Sequence, residues 1–581
     1  MRLGPACRRI AAIARRHAGL MVTDLSGQRH GSLGRSSSGA APGLLTRLRR
    51  DALQALKGGR LYRRTLMGPV PADLRLKIGP RWPGEAQKGA LIAAGDIALA
   101  GAVVRNPSPR WFPPDAGEDW LAAWHGFDWL GDLLAAGSAG RDGARALVHS
   151  WIADNSRLRG VAWRSDVLAT RIFAWITHFD EIAGRGADPA LRRMVLESLV
   201  AQLRHLWRTA AWEQNGAARI RALKGLIAGM AALAGSKAKL GKVVRLLLRE
   251  IPAQILEDGG HRSRNPSLQL QVLQDLIDTR AVLRAAGGEI PALLQDAIAR
   301  MAPILRLFRH GDRRLALFNG SFEEDAVLID LVLAQSETKT AAPAYAAHSG
   351  FHRLQAGKSL ILLDAGKPPP RGFDEAAHAG ILSFEMSHEG ERIIVNCGAY
   401  RGARSRLSRA SAAHSVLVVA DTNAVEIRAD GTLGRMPHTV TSERAEHEGQ
   451  QWVVASHDGY RTRFGLVYSR QLFLAADGED IRGEETLTGR PGAKFTVRFH
   501  LHPSVETALD QQDGVALLRL PSGARWRLRA AGATLSLGES VYLGSGKPRR
   551  TQQVMLSGTV EGGGSTVRWA LRREPPQPGH D

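Results

Sequence analysis

The chain has 581 residues, 44% of them hydrophobic, and a formal net charge of +22. That length exceeds what one hydrophobic core supports, so two domains are expected, and no run of about 18 uncharged apolar residues is present to cross a membrane. The basic excess favours acidic partners (anionic polysaccharide, nucleic acid or a membrane surface), although arginine-heavy composition also follows from GC-rich coding. The arginines are spread rather than gathered on one helix face, which argues against specific nucleic-acid recognition. Cys7 and Cys397 are the only cysteines, too few for a disulfide framework or a cysteine metal site.

The N-terminus, MRLGPACRRIAAIARRHAGLM, is basic but lacks an uninterrupted apolar stretch and makes a poor secretory signal. Residues 24–43 are polar and glycine-rich, so 1–43 is read as a disordered segment. A helical region is expected over 44–335. Within it 68–105 reads as irregular, with Pro69, Pro71, Pro80 and Pro83 as breakers and a small strand at Ile97–Leu99. From Trp120 the pattern is helical. Leu191, Met194, Val195, Leu199, Leu203 and Leu206 recur three or four apart, and the pattern returns at Val167–Trp175, Leu223–Leu233, Val243–Leu248, Leu268–Leu283 and Leu293–Leu307. Helix packed on helix follows. Residues 336–346 read as a linker, and beyond them the apolar period falls to two. Ser359–Leu363, Phe495–His502, Val515–Leu520 and Trp526–Leu528 predict an antiparallel β-sandwich over 347–575, with 576–581 as a tail. The fold class is α+β, multidomain.

The stretch His378–Asp421 carries the densest signal. Ile381–Met386 and Arg392–Val395 flank a His388-Glu389-Gly390-Glu391 turn, and Ser415–Val419 is a third strand. His378, Asn396 and His414 stand at its corners, where two imidazoles and an amide can meet on one ion if the strand ends converge. A hydrogen-bonded polar cluster is the alternative.

HAGILSFEMS, IIVNCGAY and ASAAHSVLVV, together with GGHRSRNP at 259–266, resemble the heparinase II/III family, bacterial lyases that cleave uronic-acid-containing polysaccharides by β-elimination. The resemblance runs from about residue 50 to the C-terminus. It implies an N-terminal incomplete (α/α) toroid followed by the β-sandwich, an acidic polysaccharide in the cleft between them, and a periplasmic or cell-envelope location. The weak signal sequence leaves a cytoplasmic location open. It also implies a structural zinc on His378, Asn396 and His414, with Asn396 where the family has an aspartate.

A uronate lyase needs a group to neutralise the carboxylate, a base for the adjacent proton and an acid for the leaving oxygen. At the family's catalytic positions this chain has Ala217 and Ala218 for an Asn-His pair, Leu268 for a tyrosine and Ala376 for a histidine. Asn215 lies two residues before Ala217. What remains is the His261–Asn265 loop. In the catalytic reading His261 and Asn265, with Tyr400, do the proton chemistry while Arg264, Arg401 and His310 hold the substrate. In the structural reading Ser263 or Asn265 caps the helix that Pro266 opens. His500 and His502 share a strand face, and Trp124-His125 and Trp163-Arg164 can line a sugar groove or simply fill core. Two functions follow: a lyase with altered catalytic groups, or a non-catalytic glycan-binding or envelope-assembly protein. Oligomeric state is not encoded in any of these signals.

Overall fold

The structure, a computed structural model, describes residues 60–575 apart from 107–109, 156–157, 159, 185, 211–215, 235 and 401–404. The segment expected to be disordered, residues 44–59 of the expected helical region, Cys7, Asn215, Arg401 and the C-terminal tail lie outside the described residues.

The first half is helical, and its helices begin where capping chemistry allows. Asp188 accepts the Ala190 N–H ahead of Pro189–Thr209, and Asn265 accepts the Leu268 N–H ahead of Pro266–Ala285, each with proline at the first helical position. The predicted apolar stripe of Pro189–Thr209 is buried, with Val195, Leu199 and Leu206 at 0% exposure. Helices Ser165–Thr177 and Ala217–Gly229 come unusually close at Gly225, where an added Cβ would sit 2.6 Å from Ala169 Cβ. On its other side Ala217–Gly229 meets Pro266–Ala285 through a buried ionic contact, Lys224 Nζ to Asp275 at 2.6 Å and Asp278 at 3.1 Å. Trp124, Trp129, Trp151 and Trp175 pack ring to ring in this domain's core, so Trp124-His125 fills core and lines no groove. The stretch expected to be irregular holds a helix, Ala86–Ala94, and a hairpin, Asp96–Leu99 with Ala102–Arg105.

The second half is two antiparallel sheets. In spatial order the eight-stranded sheet runs 506–510, 515–519, 525–531, 565–573, 480–489, 466–474, 450–457 and 440–447. The nine-stranded sheet runs 534–542, 549–559, 494–501, 391–395, 384–388, 359–364, 351–356 and 345–346, with 417–419 paired to 494–501. Alternation along Leu466–Leu474 places every second side chain in the sandwich core. Ser359–Asp364 is buried throughout because both its faces are covered. Leu360 and Leu362 belong to the helical domain's core, whereas Ile361 and Leu363 belong to the sandwich core. One sheet therefore serves both domains and fixes them as a block.

Several boundaries differ from the sequence reading. Tyr345–Ala346, taken for linker, already pairs with Phe351–His352. The hairpin's first strand starts at Phe384 rather than Ile381, because Leu382 turns the chain at φ 64°. The expected turn is tight: Glu389 and Gly390 both have positive φ, 52° and 91°, the geometry of a two-residue hairpin loop. The third strand is Leu417–Val419.

Candidate functional site

The glycine-histidine loop lies against the β-domain, between Lys237–Gln254 and Pro266–Ala285. Gly259 adopts φ 89°, and a Cβ there would meet Arg300 O at 2.0 Å, so only glycine fits the turn. His261 follows, 1% exposed. Gln254 donates its amide N–H to Glu250, which leaves its carbonyl to accept from His261 Nε2 at 3.3 Å. His261 Nδ1 then accepts the Ser263 hydroxyl at 2.7 Å. Both ring nitrogens are thus engaged within the protein, and burial lowers the imidazole pKa to about 4. A general base needs a free lone pair directed at substrate; His261 has none.

Arg264 and Asn265 are equally committed. Arg264 Nε donates to Ser349 O at 2.7 Å, Nη2 pairs with the Asp364 carboxylate, and the guanidinium sits 4.6 Å over the Phe351 ring. Asn319 bridges the same group, donating to Arg264 O and Asp364 Oδ2. Asn265 caps its helix and donates to Asn319 O at 2.8 Å. In the loop that sequence reading offered as catalytic, Arg264 therefore fastens the two domains while His261 and Asn265 are bonded within the helical one, and the capping role is the one its geometry displays.

His310, assigned to substrate, is also internal. Its Nδ1 meets Ser387 Oγ at 2.9 Å and its Nε2 meets Glu385 Oε2 at 3.0 Å, with both side chains of the latter pair at 0% exposure. Glu385 is the centre that sequence reading missed. Its Oε1 accepts Leu317 N–H, Asn396 N–H and Asn396 Nδ2–H, each at 3.0 Å, and Arg392 lies 3.9 Å from Oε2. Burial alone would raise its pKa, but the His310 hydrogen bond, Arg392 and the Asn396 amide outweigh burial and hold it below the ordinary value. A charged residue amid the apolar run LSFEM was the available signal, since buried carboxylates need partners.

Asn396 is thereby turned away from metal duty: its Oδ1 accepts Ser415 N–H at 3.1 Å while its Nδ2 serves Glu385. His414 donates Nδ1–H to Ala410 O, so its Nε2 accepts from His378 Nδ1 at 2.9 Å. Burial holds both rings neutral, His378 well below its usual pKa and His414 at about 4. Among the described residues no group of three His, Cys, Asp or Glu side chains is placed to hold a metal. With His378 Nδ1 turned on His414 Nε2 and Asn396 Oδ1 on Ser415, the three side chains as arranged do not converge their lone pairs on a zinc.

The accessible surface near this loop is chemically plain. Ala217, Ala218 and Leu268 are half-buried and Ala376 is exposed, and none carries a proton-transferring atom. The helical-domain loop approaches its β-domain counterpart here, for a Cβ on Gly216 would lie 3.9 Å from Gly372 O. Tyr400 is half-buried, with its main-chain N–H on Ser408 Oγ. His500 and His502 are tied to Ser540 and Ser504.

Residues 338–570 match the family model "Heparinase II/III-like, C-terminal". This C-terminal domain is heparinase II/III-like. The likeness of fold extends over the heparinase II/III-like chain as a whole: a crystal structure of heparinase III aligns with TM-score 0.70 at 14% identity, covering 90% of this chain and 89% of that one. Heparan sulfate lyase HepC from Pedobacter heparinus aligns with TM-score 0.57 at 14% identity, covering 91% and 89%. The architecture is thus the incomplete (α/α) toroid followed by a β-sandwich. Among curated proteins, "FtsZ-localized protein C" of Caulobacter vibrioides is 28% identical over 539 residues, 87% of this chain and 91% of the relative.

Proposed function

We propose that this heparinase II/III-like chain is a non-catalytic binding protein that localises with FtsZ. One observation carries the reading: the three loop side chains offered for catalysis or substrate are each engaged within the protein, His261 on Gln254 and Ser263, Asn265 on Asn319, and Arg264 across the domain boundary on Asp364. At the family's catalytic positions Ala217, Ala218, Leu268 and Ala376 supply neither a base nor an acid. The Caulobacter relative's name, "FtsZ-localized", supports the partner. The scaffold itself is compatible with an acidic glycan in the cleft, and a catalytically silent protein can keep that affinity. Co-pelleting with polymerised FtsZ tests the reading: the full chain is expected in the pellet with FtsZ and in the supernatant without it, and a chain left in the supernatant in both cases contradicts it.

The second reading, lyase action on an acidic polysaccharide in the envelope or periplasm, is favoured by Tyr400 alone. Its hydroxyl makes no hydrogen bond to a described residue. This reading needs export; the first needs the compartment of FtsZ, and cell fractionation separates them.

A further inference from the structure

A cavity of about 370 Å³ opens beside the buried loop, where the helical domain meets the end strands of both sheets. It is of ligand-pocket size, and none of Ala217, Ala218, Leu268 and Ala376 lines it. Its ionisable lining is Arg262, Arg264, Lys367 and His348, with no carboxylate. Lys367 is exposed and makes no ion pair or hydrogen bond among the described residues, and Arg262 uses only Nε, on Ala253 O at 2.9 Å. Arg264 is held from behind by Asp364 and Ser349, a pair neutral as a whole, so the open positive charge is that of Arg262 and Lys367. At the rim His348 is 3.3 Å from Glu257 and gives its main-chain N–H to Asp258, and Asp364 lies behind Arg264.

The other wall is apolar and stiff. Pro368, Pro369 and Pro370 form a run with fixed φ, and Tyr345, its ring stacked on His352 at 4.2 Å, also lines the cavity. The Ser442 hydroxyl is already bonded to His352 Nε2 at 2.9 Å. No Asn, Gln, Asp or Glu side chain lines the space to chelate the vicinal hydroxyls of a sugar. Cations set against an apolar wall suit a carboxylate carried on an apolar body.

We infer that this cavity docks an acidic peptide segment of a partner protein, with an Asp, Glu or terminal carboxylate on Arg262 and Lys367 and an adjoining apolar side chain against Tyr345 and the proline run. The inference rests on the binding-protein reading in needing a partner, but not on that partner being FtsZ.

Fluorescence anisotropy of fluorescein-labelled decapeptides in which Asp alternates with Leu or Phe, titrated with the full chain, tests it. Saturable binding is expected, weakened at least about tenfold in Arg262→Ala/Lys367→Ala and with Asn in place of Asp, as loss of charge-assisted bonds requires. The double variant should melt with the wild-type chain, because neither side chain has an ionic partner to lose. No binding by any of these peptides, binding unchanged in the variant, or variant-sensitive binding of a hyaluronan hexasaccharide in place of the peptides overturns the proposal. FtsZ co-pelleting, measured separately on the wild-type chain, reports on the functional reading alone, so either idea can fail without the other.

Discussion

The glycine-histidine loop and the neighbouring cavity share Arg264 yet differ in what their polar groups are doing. In the loop, His261, Arg264 and Asn265 are each within 6% of full burial and each satisfied by another protein group. In the cavity, Arg262 and Lys367 face open space with no ionic partner among the described residues. Density of polar residues in a sequence therefore does not mark a site; donors left over after folding do. The seam uses the same chemistry throughout its length. Asp258 accepts the His348 and Ser349 N–H groups, Arg392 pairs with Asp312 at 2.8 Å, and Tyr542 binds Glu323.

If that contrast is right, substitutions of the buried, bonded groups should damage folding, and those of Arg262 and Lys367 should damage only binding. Asp364→Ala strands the Arg264 guanidinium in the interior and should cost about 3–5 kcal/mol, read as a fall in the urea midpoint; a change within noise would mean the ion pair is not buried in solution. Glu385→Gln weakens the bonds from His310, Asn396 and Leu317 and is expected to cost about 1.5–3 kcal/mol by the same measurement.

Acid should find the same groups. Burial sets His261 and His414 at about 4 when folded, below the roughly 6.5 of the unfolded chain. The unfolded state then binds protons first, so their contribution to stability is complete above pH 6.5 and is lost as pH falls from 6.5 toward 4. Glu385, whose folded pKa is also depressed, extends the loss below the ordinary carboxylate range. A melting temperature that stays level between pH 7 and 4 would contradict the buried, neutral histidines. Asn265→Ala removes a helix cap and should cost about 1 kcal/mol. Smallest of all, Arg262→Ala with Lys367→Ala should alter stability by no more than about 0.5 kcal/mol. Chelation is expected to leave melting unchanged, and a drop on adding EDTA would restore the metal to His378 and His414.

Much of this fold could be read in the sequence. The 3.6-residue stripe of Pro189–Thr209 and the alternation of Leu466–Leu474 each face one apolar medium, and such patterns survive any tertiary arrangement. The Ser359–Asp364 strand shows the limit: its unbroken apolar run announces burial but not that Leu360 and Ile361 enter two different cores. The site was harder still. GGHRSRNP offers a base, a cation and an amide in eight residues, but whether Arg264 meets a substrate or Asp364, 100 residues away, depends on long-range packing that no local spacing encodes. Glu385 went unnoticed for the converse reason, since its partners His310 and Asn396 come from segments 75 residues before it and 11 after it.

The claim on which all of this depends is that the polar side chains of the glycine-histidine loop serve the fold and that Tyr400 does not cleave a uronate without them. Incubating the full chain with a panel of uronate polysaccharides and following the absorbance of unsaturated uronate products tests it most directly. No rise with any polymer is the predicted result; a rise abolished by Tyr400→Phe or His261→Ala would contradict it.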